Sequence, residues 1–156
     1  LKAAQTSAQL EQILADHLFL KGLDQHYLER ISPQAAIVSF KKDEHILLEG
    51  QEAAYFFLIL KGQAVLKTFL SAREGFMTIQ YLGQGEIIGW SWLVPPYQWH
   101  FSAFATKPTT AIRLDGHHLR QAAEADPAFG YELQRRLLFV IGQRLRRTRR
   151  QVGQEK

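Results

Sequence analysis

All three tryptophans of the chain lie within residues 90–99, close to two serines, a histidine and a pair of prolines. The stretch reads WSWLVPPYQWHFS over residues 90–102, and we call it the aromatic segment. Aromatic side chains at this density can line a pocket for a flat or apolar ligand, which Ser91, His100 and Ser102 would orient by hydrogen bonds. Aromatic clusters also complete hydrophobic cores. The segment therefore predicts a pocket that is either open to a ligand or filled by its own side chains.

Residue types that carry catalysis or bind metals are otherwise scattered. The six histidines include no His-x-His pair, and His117 and His118 are adjacent at the start of a predicted helix, so they point in different directions. The chain has no cysteine, which excludes a thiol nucleophile, a cysteine–zinc site and a disulfide scaffold. The carboxylates of residues 43–52 lie in predicted turns near Lys41 and Lys42, as solvated charges do. We expect no enzymatic activity, no metal and no cofactor.

Strand patterns fill the middle of the chain and helical patterns lie at its two ends. Eight short runs rich in β-branched and aromatic residues are separated by turn residues: AAIVSF, HILLEG, YFFLIL, QAVLKTF, GFMTIQYL, EIIGW, HFSAFAT and TTAIRLD. This spacing predicts a mainly β sandwich, jelly roll or barrel. We expect an N-terminal helical segment at 1–34, a β domain at 35–116 and C-terminal helices at 117–156, all within one structural domain.

The N-terminal helix is predicted to begin at Thr6 or Ser7, with Leu10, Ile13, Leu14 and Leu18 as its apolar stripe. The last helix is predicted to begin near Pro127 and to carry two apolar stripes. The docking stripe, which faces the β domain, comprises Phe129, Leu133, Leu137 and Val140. The second, which we call the seam, comprises Tyr131, Gln134, Leu138, Ile141, Leu145, Thr148 and Val152.

The seam's seven-residue repeat predicts a parallel homodimer, with Leu138, Ile141, Leu145, Thr148 and Val152 at the interface. The alternative is one broad buried face followed by a solvated helix end.

Charge is concentrated at the C-terminal end. Residues 133–156 hold eight basic residues and one acidic residue, and five arginines fall within RLRRTRRQ. Such a cluster could contact nucleic acid nonspecifically, although a solvated helix end, an acidic partner, an anionic membrane surface or the remainder of a removed domain would also account for it. The longest apolar run, residues 53–60, is too short to cross a bilayer, and no leader pattern precedes it. We expect a cytoplasmic protein without a transmembrane segment.

Turn glycines and strand patterns follow one another in a specific order: ILLEG, YFFLILKGQAVL, LGQGEIIGW and AIRLDGHHLRQAAEADP before the long helix. In this order, over about residues 8–145, the chain resembles the cyclic-nucleotide-binding domain of the catabolite-activator and Fnr-like (Crp-Fnr) regulators. The resemblance implies a double-stranded β-helix jelly roll with flanking helices, the last of which dimerises. It places Gly50, Gly62, Gly85 and Gly89 at turns. The winged helix-turn-helix of the family's transcription factors is missing, so we expect no sequence-specific DNA binding by this chain.

The resemblance also indicates where a ligand would bind and how this chain departs from the pattern. In ligand-competent members a glycine precedes a Glu that binds the ribose, and a later Arg pairs with the cyclic phosphate, followed by a Ser or Thr. Here Gly89 is the glycine, Trp90 stands at the Glu position and Trp99 at the Arg position, with Ser102 at the Ser/Thr. A register shift of up to two residues would put His100 or Phe101 at the Arg position, and neither offers a guanidinium.

A buried phosphate without a bidentate cation is costly, so we expect cyclic AMP and cyclic GMP to bind weakly or not at all. The predicted function is a dimeric, non-enzymatic regulatory module, with a small molecule as its possible ligand. The alternatives are an interaction scaffold whose ligand cavity is filled and a regulator with nonspecific nucleic-acid contacts. The candidate pocket residues are Gly89, Trp90, Ser91, Trp99, His100, Phe101 and Ser102.

Overall fold

The structure is a computed structural model, and it describes residues 6–154. Two four-stranded antiparallel sheets face each other, with strand orders β1-β8-β3-β6 and β2-β7-β4-β5. The strands are β1 Ala35–Phe40, β2 His45–Leu47, β3 Tyr55–Lys61, β4 Gln63–Ser71, β5 Gly75–Gly83, β6 Ile87–Ile88, β7 Ser102–Ala105 and β8 Thr109–Asp115. Each of the eight predicted runs overlaps one of them, and the mainly β jelly-roll prediction is confirmed.

Helices flank the sheets at both ends of the described chain. They are α1 Ser7–Asp16, α2 Gln25–Ile31, α3 Gly116–Ala125 and α4 Pro127–Gln154, with short 3-10 turns at Ser32–Gln34 and Ser91–Leu93. Thr6 is the N-cap of α1: its hydroxyl accepts from the Gln9 amide at 3.1 Å, and the Gln9 side chain accepts from the Thr6 amide at 2.8 Å. Asp115 caps α3 in the same way by accepting from the His118 amide at 2.8 Å.

Strand β3 lies in the middle of the molecule, because both of its faces are covered. Phe56 packs on Phe19 and on Trp92, each with ring centroids 5.4 Å apart. Phe57, on the opposite face, packs edge-on against Phe40 of β1 at 5.9 Å. Two apolar faces explain why this strand is a continuous apolar run and not an alternating one.

Helix α1 ends earlier than the predicted apolar stripe requires, and Leu18 is correspondingly 71% exposed. The prediction that Leu18 continues the stripe is therefore wrong. His17 leaves the helix with an extended backbone and turns its ring inward. Its Nε2 donates to the Ile59 carbonyl at 3.0 Å, and its Nδ1 accepts from the Phe19 amide at 3.1 Å. These buried contacts pull the chain out of the helical path and leave Leu18 outside.

Acidification is expected to destabilise the fold through His17. Burial holds the pKa of this ring below its usual 6.5, although the hydrogen bond to the Ile59 carbonyl partly offsets the shift. Protonation would also turn Nδ1 from an acceptor into a donor that faces the N–H of Phe19. Because the pKa of His17 is lower in the folded protein, the unfolded chain binds a proton at His17 more readily. The stabilisation by neutral His17 is complete above pH 6.5 and is lost as pH falls through the folded pKa.

The measurement is the free energy of unfolding above and below pH 6.5, for the wild type and for His17→Asn. His17→Asn should show a smaller loss on acidification, whereas His26→Asn, at an exposed position, should match the wild type. Equal pH dependence in all three proteins would contradict the assignment to His17.

Helix α4 docks on the domain through the predicted stripe. Phe129, Leu133 and Leu137 are buried, and Phe129 stacks on Tyr27 with centroids 4.9 Å apart. Arg136 adds hydrogen bonds from Nη1 to the carbonyls of Phe19 at 2.8 Å and Lys21 at 3.0 Å. Among the described residues, none of the helices has the length and apolar character needed to cross a bilayer.

Candidate functional site

The aromatic segment begins where the short strand β6 ends. β6 pairs with β3, with Ile88 opposite Phe57, and Gly89 then turns the chain with φ +83°. Positive φ is strained for residues with a side chain, which is why glycine stands here. Gly50, Gly62 and Gly85 also have positive φ, so the predicted turn positions of all four glycines are confirmed.

The ring of Trp99 packs closely against Gly89. A Cβ placed on Gly89 would lie 2.4 Å from one ring carbon of Trp99 and 2.7 Å from another. The backbone of Trp99 is held by two hydrogen bonds to the turn after β2, from the Gly50 amide at 2.8 Å and to the Gln51 carbonyl at 2.9 Å. The absence of a side chain at position 89 therefore makes room for the indole.

The polar groups of the segment have different surroundings. The hydroxyl of Ser91 and Nδ1 of His100 share a hydrogen bond of 3.2 Å, and the histidine is exposed. The hydroxyl of Ser102 accepts from the Glu49 amide at 3.0 Å and so links β7 to the end of β2. Trp92 is fully buried beside Phe56.

One small cavity lies at the centre of these residues, with a volume of about 20 Å³. A cavity of that size holds about one water molecule, far less than a nucleotide. Six of the seven candidate pocket residues line it, and Ser102 does not. The lining residues are Leu47, Leu66, Ile88, Gly89, Trp90, Ser91, Trp99, His100, Phe101 and Arg144.

Arg144, which the sequence interpretation did not place here, reaches this cavity from α4. Its side chain is only 7% exposed; Nη2 donates to the Ile87 carbonyl, and the guanidinium carbon lies 5.2 Å from the ring centroid of Trp90. Neither Nε nor Nη1 has a hydrogen-bond partner among residues 6–154. Burial lowers the pKa of Arg144 to about 10, so the group remains a cation at neutral pH.

A sequence signal for Arg144 existed. Position 144 lies four residues after Val140 and seven after Leu137, so it continues the docking stripe. Surrounding arginines had suggested a solvated helix end. In fact Arg147 pairs with Glu86 at 3.0 Å, while Arg146, Arg149 and Arg150 are exposed.

The seam faces away from the domain in the single chain. Leu138 is 68% exposed and Leu145 is 67% exposed, and Tyr131 and Val152 are also exposed. Ile141 and Thr148 are half-buried, and the Thr148 hydroxyl donates to the Arg144 carbonyl at 3.0 Å, which leaves its methyl group for packing. Within residues 6–154, no group of three His, Asp or Glu side chains has the arrangement of a metal site.

Residues 37–126, more than half of the chain, match the family model described as the cyclic nucleotide-binding domain. No curated protein sequence matches. A solved structure described as a cyclic nucleotide-binding protein from Geobacter metallireducens is 29% identical, with a TM-score of 0.77, covering 86% of this chain and 97% of that one. A cyclic nucleotide-binding domain from Methylobacillus flagellatus is 22% identical, with a TM-score of 0.81 and coverages of 100% and 89%.

The sensor domain of the transcriptional regulator DNR from Pseudomonas aeruginosa is 15% identical to this chain, with a TM-score of 0.71 and coverages of 89% and 93%. At these low identities the last two structures establish the fold alone. Together with the match over 37–126, they confirm the resemblance inferred from the turn glycines and strands.

Proposed function

This chain belongs to the cyclic nucleotide-binding domain family, and from that membership we propose that it is a homodimeric, non-enzymatic regulatory module. Its pocket, around Gly89, Trp90 and Trp99, takes a small ligand other than cyclic AMP or cyclic GMP held in the family's usual way. The seam of α4 forms the dimer.

The packing of Trp99 on Gly89 carries the proposal. An indole stands where the resemblance puts the phosphate-binding Arg, and Trp90 stands where it puts the ribose-binding Glu. The space that remains is about 20 Å³. A cyclic nucleotide would lose both of its specific contacts and would also have to displace a buried aromatic ring, which makes binding unfavourable on both counts.

Contacts of α4 support a link between the pocket and the dimer. Arg144 borders the cavity, and two nearby residues of the same helix belong to the seam: Ile141, one turn earlier, and Leu145, the next residue in sequence. Trp90 lines the cavity and also an open groove of about 680 Å³ that reaches Leu138 and Ile141. A ligand that displaces Trp90 or contacts Arg144 would therefore bind more tightly to one position of α4 than to another. Regulation requires such a difference in affinity between two states.

Isothermal titration of the wild type with cyclic AMP and with cyclic GMP is expected to show no micromolar binding. The double variant Trp90→Glu, Trp99→Arg restores the missing carboxylate and guanidinium and is expected to bind more tightly than the wild type. Micromolar binding by the wild type would contradict the proposal. A folded double variant that binds no better would contradict the placement of these two tryptophans.

A second candidate function is an interaction scaffold in which the aromatic side chains fill the ligand cavity permanently. The small volume of about 20 Å³ favours it. Tryptophan fluorescence and thermal shift, screened against haem, flavin, quinone and nucleotide panels, separate the two functions, because Trp90 and Trp99 border the cavity directly. No quenching and no thermal shift with any class would favour the scaffold.

A further inference from the structure

Arg144 is the only buried Lys, Arg, Asp or Glu side chain among the described residues. Charged groups are seldom buried unless an opposite charge accompanies them, because burial removes their hydration. Here one carbonyl accepts from Nη2, and Nε and Nη1 have no partner. The guanidinium thus has free hydrogen-bond donors pointing into the protein interior.

The neighbouring carboxylate does not pair with it. Glu86 favours the charged form of Arg144 electrostatically, but one of its oxygens accepts from Arg147 at 3.0 Å and the other from the Gly83 amide at 2.8 Å. The ring centroid of Trp90 lies 5.2 Å from the guanidinium carbon of Arg144, and this cation–π contact compensates only part of the lost hydration of the cation. No anion in the described structure therefore contacts Arg144 directly.

The other walls of the cavity define what would complement this cation. None of the lining residues is acidic. Leu66, which lines the cavity, lies opposite Gln80 in the β4–β5 register, and the buried amide nitrogen of Gln80 also lacks a partner. The remaining walls are mostly aromatic and aliphatic. An anionic group on a flat apolar body fits these surroundings, and one guanidinium balances one negative charge.

We propose that Arg144 is the anion-binding group of this pocket and that the ligand is a small aromatic or heteroaromatic carboxylate. This inference rests on the proposed function, since it names the ligand class of the same pocket. The carboxylate accepts a hydrogen bond from Nε of Arg144, which has no partner within the described structure, and the ring of the ligand takes the place of the Trp99 indole. Since the cavity of about 20 Å³ holds only one water, binding requires Trp99 to move away from Gly89.

The test uses probes in pairs of equal shape that differ in charge: benzoate with benzamide, and indole-3-acetate with indole-3-acetamide. Melting temperature and tryptophan fluorescence are followed in the wild type, in Arg144→Met and in Arg146→Met, the last being an exposed arginine of the same helix. At least one carboxylate should stabilise the wild type and Arg146→Met while its amide does not. Arg144→Met should weaken the apparent affinity about tenfold or more, as expected for a lost charge-assisted hydrogen bond.

Two results would overturn the proposal: no probe carboxylate acts on the wild type, or the effect is equal in Arg144→Met. If Arg144→Met does not fold, Arg144→Lys keeps the charge, and the guanidinium Nε–H resonance of wild-type Arg144 reports contact directly. That resonance must shift with the carboxylate and not with its amide. Cyclic AMP is titrated separately: binding of cyclic AMP at micromolar concentration contradicts the proposed function, whereas failure of the carboxylates alone contradicts only the role of Arg144.

Discussion

Replacing Gly89 with alanine is expected to lower the free energy of unfolding by roughly 2–5 kcal/mol, from backbone strain and overpacking together. The backbone at Gly89 has φ +83°, which costs free energy for any residue with a Cβ. That Cβ would also lie 2.4 Å from the Trp99 ring, a separation that requires the ring or the backbone to move. Chemical denaturation measures the change.

Gly50→Ala separates the two causes. Gly50 has φ +89° and no atom within 4 Å of the added Cβ, so its substitution brings backbone strain without a clash and should cost about 1–3 kcal/mol. Trp99→Ala provides a second comparison, because it removes the two ring carbons that clash with the added methyl at position 89 and leaves Leu47 at 3.4 Å, an ordinary contact distance. The cost of Gly89→Ala should then fall to that of Gly50→Ala. An unchanged cost would show that Trp99 does not pack on Gly89 as described.

Leu138→Asp is expected to convert the proposed dimer into monomers. A two-stranded parallel seam places Leu138 of each chain against its partner, and two-fold symmetry introduces the substitution twice. Each uncompensated buried carboxylate costs roughly 3 kcal/mol, so the two together should raise the dissociation constant by about four orders of magnitude. Light scattering coupled to gel filtration, at micromolar chain concentration, measures the change in mass.

Phe139→Asp is the matched control on the same helix. Phe139 is 63% exposed, close to the 68% of Leu138, but it lies about 100° around the helix and outside the seam. This variant should remain dimeric. Both side chains are exposed in the single chain, so neither substitution should unfold it. A monomeric wild type, or equal dissociation in the two variants, would contradict the seam.

The local elements of the fold could be predicted because each depends on nearby residues. Short runs rich in β-branched and aromatic residues, separated by turn residues, identified all eight strands, because these side chains favour the strand conformation locally. The capped start of α1 at Thr6 was equally local. Its end was not, because the buried hydrogen bond from His17 to Ile59 joins residues that are 42 apart in the sequence.

Six of the seven candidate pocket residues lie together for a related reason. Gly89, Trp90, Ser91, Trp99, His100 and Phe101 are neighbours in sequence, and one turn and one loop suffice to bring them around the same cavity. Ser102 had been placed in that group by its position in the family pattern. Its hydroxyl instead accepts from the Glu49 amide, a contact set by the pairing of β2 with β7.

By itself, the sequence determined the number of strands and their succession along the chain, the glycine turns and the docking stripe of α4. Only the tertiary structure decided how much space the tryptophans leave and that Arg144, from the other end of the chain, closes the pocket. The reason is physical: strand period and turn geometry follow from adjacent residues, whereas the volume of a cavity and the burial of a cation depend on how a distant helix lies across the sheet. In the sequence, Arg144 resembles the exposed arginines around it, because its burial depends on the docking of α4.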